Sequence, residues 1–317
     1  MRLVALLIAV LLTVPLAARA EGYPDRPIRL VVGFGAGGPT DIPARFIADR
    51  LSTALGQRVF VENKPAASGL MATRDVLHQK PDGYSLLLCT HFEATNTVVY
   101  KDPGYTLADI APVSLIARYY YGLALSNSIP APDFKSFVAY AKAHPGEVNY
   151  ATVGVGSAQQ VLARQLAKMT GIQMLEVPFQ GGATLIQELV AGRINLYVSP
   201  TLAIIHQYEA KQLKILAVTA PARLASLAEV PTLRENGLDF VRFGWLGVCA
   251  PKGLPKPIAE RLSREIAKVV ASPDYKALVE NAGSLPESST PEGLGKILQQ
   301  TAADIAPTIR EFGLFKE

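Results

Sequence analysis

Ile28-Arg29-Leu30-Val31-Val32-Gly33-Phe34-Gly35-Ala36-Gly37-Gly38-Pro39-Thr40-Asp41 is the stretch that decides the fold. Ile28 to Val32 is short, mostly apolar and rich in β-branched residues, and Pro27 and Gly33 bound it, which is the pattern of a buried strand. Glycines follow at 33, 35, 37 and 38, and beyond them Ile42, Ala44, Phe46, Ile47, Leu51 and Leu55 recur at helical spacing as far as Gly56. Strand, glycine loop and helix in that order make a sharp turn whose helix N-terminus offers unpaired N–H groups and positive dipole. An anion is the natural guest of such a turn, although a plain tight connection reads the same way.

Working outward, Arg58 to Glu62 reads as a second strand, Leu70 to Gln79 as a helix stopped by Pro81-Asp82-Gly83, and Tyr84 to Cys89 as a third strand. Strands alternating with helices imply a mainly parallel sheet. No element is assigned from His91 to Ile110; strands are expected at Val113 to Ala117 and Gly122 to Ser126, with Tyr119-Tyr120-Tyr121 between them as sheet surface. The alternation pauses there, which places a domain crossover. It resumes with a second α/β unit whose glycine loop, Gly154-Val155-Gly156-Ser157, opens a helix from Ser157 to Met169. Pro178-Phe179-Gln180-Gly181-Gly182 is a further strand-to-helix loop, and open α/β sheets bind ligands at such strand ends. After a last strand, Phe243 to Ala250, the chain is helical and poor in strands, so its apolar stripe is expected to pack back on the first unit.

At 317 residues with 49% of them hydrophobic, the chain suits two well-packed domains. Arg2, the apolar run Leu3 to Leu16 and Ala18-Arg19-Ala20 read as a signal peptide cleaved after Ala20, with an apolar segment too short for a comfortable membrane span. Cleavage removes Arg2 and Arg19 and lowers the formal charge from +4 to +2, with no basic stripe, so a nucleic-acid partner is excluded and the partners are small. Cys89 and Cys249 read equally well as a bridge or as buried thiols.

An enzyme reading finds little. Gly33-x-Gly35-x-x-Gly38 matches a dinucleotide fingerprint with Glu62 positioned for ribose, but Pro39 and export oppose it. There is no Gly-x-Ser-x-Gly elbow, and His78, His91, His144 and His206 lack metal-ligand spacing, so no catalytic residue, metal or cofactor is assigned. His91, just past a strand end, is the one histidine placed for a cleft.

Tyr23-Pro24-x-Arg26-Pro27-Ile28, Phe34 to Asp41, Val61-Glu62-Asn63-Lys64-Pro65, Pro81-Asp82-Gly83-Tyr84, Ala111-Pro112-Val113-Ser114, Pro145-Gly146-x-x-Asn149-Tyr150 and Val177-Pro178-Phe179-x-Gly181 occur in order. Leu216-Ala217-Val218-Thr219, Glu229-Val230-Pro231-Thr232 and Ala250-Pro251 follow. Together they resemble the Bug (TctC) family, the periplasmic solute receptors of tripartite tricarboxylate transporters. The resemblance implies an α/β, two-lobed Venus-flytrap fold with a mainly parallel Rossmann-like sheet in each lobe. It divides the chain into a signal peptide (1–20), a first lobe (21–120 and 244–317) and a second lobe (121–243).

By the same resemblance the function is capture of a small organic carboxylate, aromatic or dicarboxylate, by a periplasmic monomer that delivers it to two integral-membrane subunits. The alternatives are an exported dinucleotide oxidoreductase and a receptor diverted to sensing. The implied ligand-binding residues are Phe34, Gly35, Ala36, Gly37, Gly38, Thr40, Asp41, Thr90, His91, Val153, Gly154, Gly156, Ser157, Ala158, Gln159, Gln160, Phe179 and Ser199. Asp41 is read as a helix cap or an organiser of loop water, and Glu93 as a candidate partner for a ligand ammonium. A bulky residue at Ser157 is expected to abolish carboxylate binding and leave the fold intact. The chain departs from the family's pattern in having Ala158, Gln159 and Gln160 in place of a serine-rich start ending in His, Gln180 in place of Lys, and Asn195 to Ser199 at the strand end that usually carries an aspartate.

Overall fold

The computed structural model describes residues 22–179 and 182–316. The signal segment and Gln180-Gly181 lie outside the described residues. The chain opens with β1 (Ile28–Val32), α1 (Asp41–Leu55), β2 (Val59–Asn63), α2 (Leu70–Leu77), β3 (Ser85–Thr90) and α3 (His91–Val99). Strand β4 (Ile110–Ser126) is followed by α4 (Phe134–Ala143), β5 (Asn149–Thr152), α5 (Ala158–Thr170), β6 (Leu175–Pro178), α6 (Gly182–Val190), β7 (Leu196–Pro200), α7 (Ile205–Glu209) and β8 (Leu213–Val218). The return consists of β9 (Phe243–Pro251), α8 (Lys256–Val270), α9 (Pro273–Asn281), β10 (Ser284–Pro286) and α10 (Pro291–Phe312).

β1 pairs in parallel with β2 and β3, and β5 in parallel with β6 and β7, as alternation of strands and helices predicts. The strands between these two parallel groups run antiparallel: β9 lies between β3 and β4, and β4 pairs on with β7 and β8. The sheet as a whole is therefore mixed. β4 is one continuous strand where two were expected. Its residues Ile110 to Tyr120 pair with β9 and its residues Tyr121 to Leu125 with β7, so the tyrosine run sits where the strand changes partners. Tyr119, Tyr120 and Tyr121 are buried, contrary to the surface reading, because Tyr119 and Tyr121 join one core cluster and Tyr120 joins another.

Alternation along β1 sends Ile28, Leu30 and Val32 into a cluster with Ile47 and Leu51 of α1 and with Ile258, Leu262 and Ile266 of α8. Val31 points the other way, toward Leu70 and Val76 of α2 and Leu294 and Leu298 of α10. Each fully buried aliphatic side chain of this kind is worth about 1.5–3 kcal/mol, so the C-terminal helices cover both faces of the first half's sheet. Cys89 and Cys249 form a disulfide between the adjacent strands β3 and β9, with Cα atoms 5.8 Å apart.

α3 is a helix where no element is assigned from the sequence. Thr95, Thr97, Val98 and Val99 are poor helix formers, yet Thr90-x-x-Glu93 is a capping box, and the structure forms it. β10, only three residues long, was also missed, and it pairs with β4.

Candidate functional site

The loop after β1 is held from behind. Asp41, almost wholly buried, accepts at Oδ2 from the Gly37 N–H (2.7 Å) and Arg45 Nε (2.7 Å), and at Oδ1 from Asn63 Nδ2 (2.8 Å). The same Asn63 amide donates to the Phe34 carbonyl at 3.0 Å. Burial alone would push the Asp41 carboxyl up, but the bonds from Arg45, Asn63 and Gly37 outweigh it and hold its pKa below the ordinary carboxylate value. Asp41 is thus not the cap of α1: its two oxygens join the loop, at Gly37, to Arg45 of α1 and Asn63 of β2. Thr40, the N-cap position, makes no side-chain cap bond, and its buried Oγ1 has no partner among the described residues.

Gly37 sits at φ +73°, the left-handed region that favours glycine, and Gly35, Ala36 and Gly37 are exposed. The N–H groups of Gly35 and Ala36 have no acceptor among the described residues, while Gly38 N–H turns back to the Gly35 carbonyl at 3.4 Å.

The loop after β5 repeats the device. Gln160 accepts at Oε1 from the Gly156 N–H (2.7 Å) and donates through Nε2 to Glu176 Oε1 (2.5 Å), and Arg164 Nη2 donates to Glu176 Oε2 (2.9 Å). The Gln160 amide therefore braces the loop through both its oxygen and its nitrogen. Ser157 caps α5, its Oγ accepting from Gln160 N at 3.3 Å, and it is 1% exposed. A bulky residue there would collide with the core, which corrects the expectation that such a variant keeps its fold. The N–H groups of Ala158 and Gln159 have no acceptor among the described residues.

This second loop is enclosed. A Cβ on Gly156, whose φ is +74°, would lie 2.2 Å from Val99 Cγ2 at the end of α3, so only glycine fits. At the other end of α3, Phe92 lies 5.6 Å from Phe34 and 4.3 Å from the His91 ring, centroid to centroid. α3 thus touches both glycine loops.

Thr90 and Ser199 are buried and committed elsewhere: the Thr90 hydroxyl belongs to the capping box, and Ser199 Oγ donates to the Pro200 carbonyl at 3.1 Å. Val153 and Phe179 pack together on the second half's core, with Gly154 turning the loop at φ +121°. Glu93 is also unavailable to a ligand. Thr73 Oγ1 donates to its Oε1 (2.9 Å) and Thr90 N to its Oε2 (2.5 Å), while burial pushes its pKa up to about 7 against those bonds.

His91 and Ala158 line a cavity of about 350 Å³ together with Thr95, Tyr121, Arg242 and Asp304, and the glycine loops themselves do not line it. Tyr121, Arg242 and Asp304 were not anticipated, and nothing local to them in the sequence marks them. His91 is 7% exposed, and burial pushes its pKa down to about 4. A detectable sequence signal for the loops did exist: Gly37-x3-Asp41-x3-Arg45 and Gly156-x3-Gln160-x3-Arg164 share one spacing.

Residues 43–314 match the model of the tripartite tricarboxylate transporter family receptor. The UPF0065 protein in the gbd 5' region of Cupriavidus necator is 31% identical over 309 residues, covering 96% of this chain and 93% of its own. The periplasmic binding protein BugD is similar in structure at TM-score 0.85 and 30% identity, covering 93% of this chain and 100% of its own. Rpa4515 of R. palustris, solved with adipate, has TM-score 0.87 and 30% identity, covering 92% of this chain and 99% of its own.

Proposed function

Since the chain belongs to the tripartite tricarboxylate transporter receptor family, a family of two-lobed solute-binding receptors and not of enzymes, we propose that it captures a small organic carboxylate between its two glycine loops and delivers it to two integral-membrane subunits. One carboxylate sits on the N–H groups of Ala158 and Gln159 at the positive end of α5. The distal end, an aromatic ring or a second carboxylate, sits on the main chain at Gly35 and Ala36. The pair of side-chain braces carries this reading, because they fix each loop from behind and leave those N–H groups without acceptors among the described residues. The adipate held by the R. palustris relative fits an extended ligand of this kind.

In this proposal the protein is a periplasmic monomer, and its signal peptide is cleaved after Ala20. Residues 21–120 and 244–317 form the first lobe and 121–243 the second, a division supported by the change of β4 partners between Tyr120 and Tyr121. The residue the dinucleotide reading assigned to ribose, Glu62, is paired with Arg29 and Lys64.

The test is a thermal-shift series with adipate, malate and benzoate on the mature chain and on Gly35→Val. A Cβ at Gly35 meets no atom of the described residues within 4 Å, so this variant should fold normally while its side chain crowds the free N–H groups. A ligand at about 100 times its Kd should stabilise the unmodified chain by roughly 2.7 kcal/mol. It should not stabilise Gly35→Val. Equal shifts in both proteins would place the solute elsewhere.

A further inference from the structure

The start of α10 packs on the first half's sheet through Leu294 and Leu298, and its end reaches across to the second half. Thr308, Ile309, Glu311 and Phe312 all follow Pro307, whose missing N–H interrupts the helix's hydrogen-bond ladder. They meet α5 along the face that begins at the second glycine loop. Gln165 Nε2 donates to Thr308 Oγ1 at 2.8 Å, exposed Lys168 pairs with exposed Glu311, and the Arg164 guanidinium lies 5.8 Å from the centre of the Phe312 ring. Beside them Val161 of α5 joins Ile309, Leu314 and Val99 in a small buried cluster separate from the larger cores.

The two sides of this contact are built differently. Toward α3 the tail bonds through the main chain, with the Lys316 N–H donating to the Val99 carbonyl at 2.7 Å and the Lys101 N–H to the Lys316 carbonyl at 3.0 Å. Toward α5 only side chains take part: no backbone hydrogen bond joins α5 to residues 308–316 among the described residues. Val161 is the second half's contribution to the buried cluster, whereas Val99, Ile309 and Leu314 all come from the first. Parting α10 from α5 therefore breaks a few side-chain contacts and uncovers little apolar surface. Polar, thinly packed joints of this kind are where two halves of a molecule separate.

We propose that residues 308–316 are a latch between the halves which, resting on the two-lobed receptor reading above, holds α5 and the second glycine loop against the first half and sets how slowly a bound solute leaves. Arg164 ties the latch to that loop. The guanidinium that meets Phe312 also donates to Glu176 Oε2 at 2.9 Å, and Glu176 Oε1 accepts from the Gln160 amide that braces Gly156. Val99, whose carbonyl the tail engages, is the residue that closes over Gly156. The latch thus acts on the second loop from two directions, through its brace and through its wall.

The side chains of Gln165 and Lys168 make no other hydrogen bond or ion pair among the described residues, so changing both to alanine, a good helix former, removes latch contacts and leaves α5 intact. The test compares the mature chain with the double variant Gln165→Ala, Lys168→Ala, by small-angle X-ray scattering without ligand and by stopped-flow displacement of adipate. In the variant the ligand-free radius of gyration should rise. Adipate should dissociate roughly 10-fold faster, with its association rate changed by less than about 2-fold. Glu311→Lys, which sets two cations together, should act in the same direction, and adding Lys168→Glu to it should restore slow dissociation. A lower urea midpoint with the radius and the dissociation rate both unchanged would overturn the latch and leave a purely structural contact. If adipate binds neither protein, the solute reading falls and scattering alone decides the latch: a larger radius in the variant supports it, and an unchanged radius overturns it.

Discussion

The two glycine loops are one device built in two environments. In each, a left-handed glycine gives its N–H to a side chain four residues on, an arginine follows four residues after that, and a partner from the next strand completes the brace. The chemistry is exchanged between them. The first loop uses a carboxylate, Asp41, and takes its amide from Asn63; the second uses an amide, Gln160, and takes its carboxylate from Glu176. What differs in consequence is enclosure: Gly37 stands in open space and Gly156 against Val99. Loop shape is therefore set by the local brace, and the surroundings decide what a substitution costs.

The largest expected effect tests that statement. Gly37→Ala meets no atom within 4 Å and should cost only the left-handed strain, about 1 kcal/mol, whereas Gly156→Ala adds a collision with Val99 and should cost at least about 3 kcal/mol. Urea midpoints compare them directly, and equal losses would mean that α3 does not hold the second loop.

Next come the braces. Asp41→Ala strands the Gly37 N–H and the Asn63 amide and should cost about 2–3 kcal/mol. Because the folded pKa of Asp41 is depressed, its contribution is present above the ordinary value of 3.8 and is lost as pH falls through the lower folded value. Asp41→Asn should therefore flatten the acid limb of a stability-versus-pH curve. Gln160→Ala should leave that limb as it is, since Gln160 does not titrate.

Glu93 acts with the opposite sign. Its folded pKa, about 7, lies above the ordinary 4.5, so its contribution is full below the lower value and declines as pH rises through the upper one. Glu93→Gln should remove that decline in thermal scans between about pH 4.5 and 7. An unchanged slope would mean another group is responsible.

The smallest contrast is at the two helix starts. Ser157→Ala deletes a formed cap and should cost about 1 kcal/mol, while Thr40→Ala deletes none and should be near neutral. Chemical denaturation of the pair would separate a capping role from a general preference for a hydroxyl there.

How far the sequence could be read follows from how local each cause is. Ile28 to Val32 and Gly56 bound β1 and α1 through neighbours in the chain, and both elements form as expected. α3 was hidden because its threonines and valines speak against a helix, while packing on both loops and a capping box overrule them. The candidate site divides in the same way. Gly35 and Ala36 are legible as loop, but Asp41 changes from helix cap to brace only once Asn63 is brought beside it, and the bond from the Ser199 hydroxyl to the Pro200 carbonyl has no signal in the chain. Arg242 and Asp304 reach the His91 cavity from elements far along the chain, so no local pattern announces them.

The position of β9 between β3 and β4 has a consequence in time as well as in space. As the chain emerges from its N-terminus, everything needed for the second half's sheet is available by β8, while β3 keeps an open edge until Phe243–Pro251 appears. The first half begins earliest and is completed last. Cys89 likewise waits for Cys249, 160 residues on, so the bond that joins them closes a ring around the whole of the second half only after that half has been made.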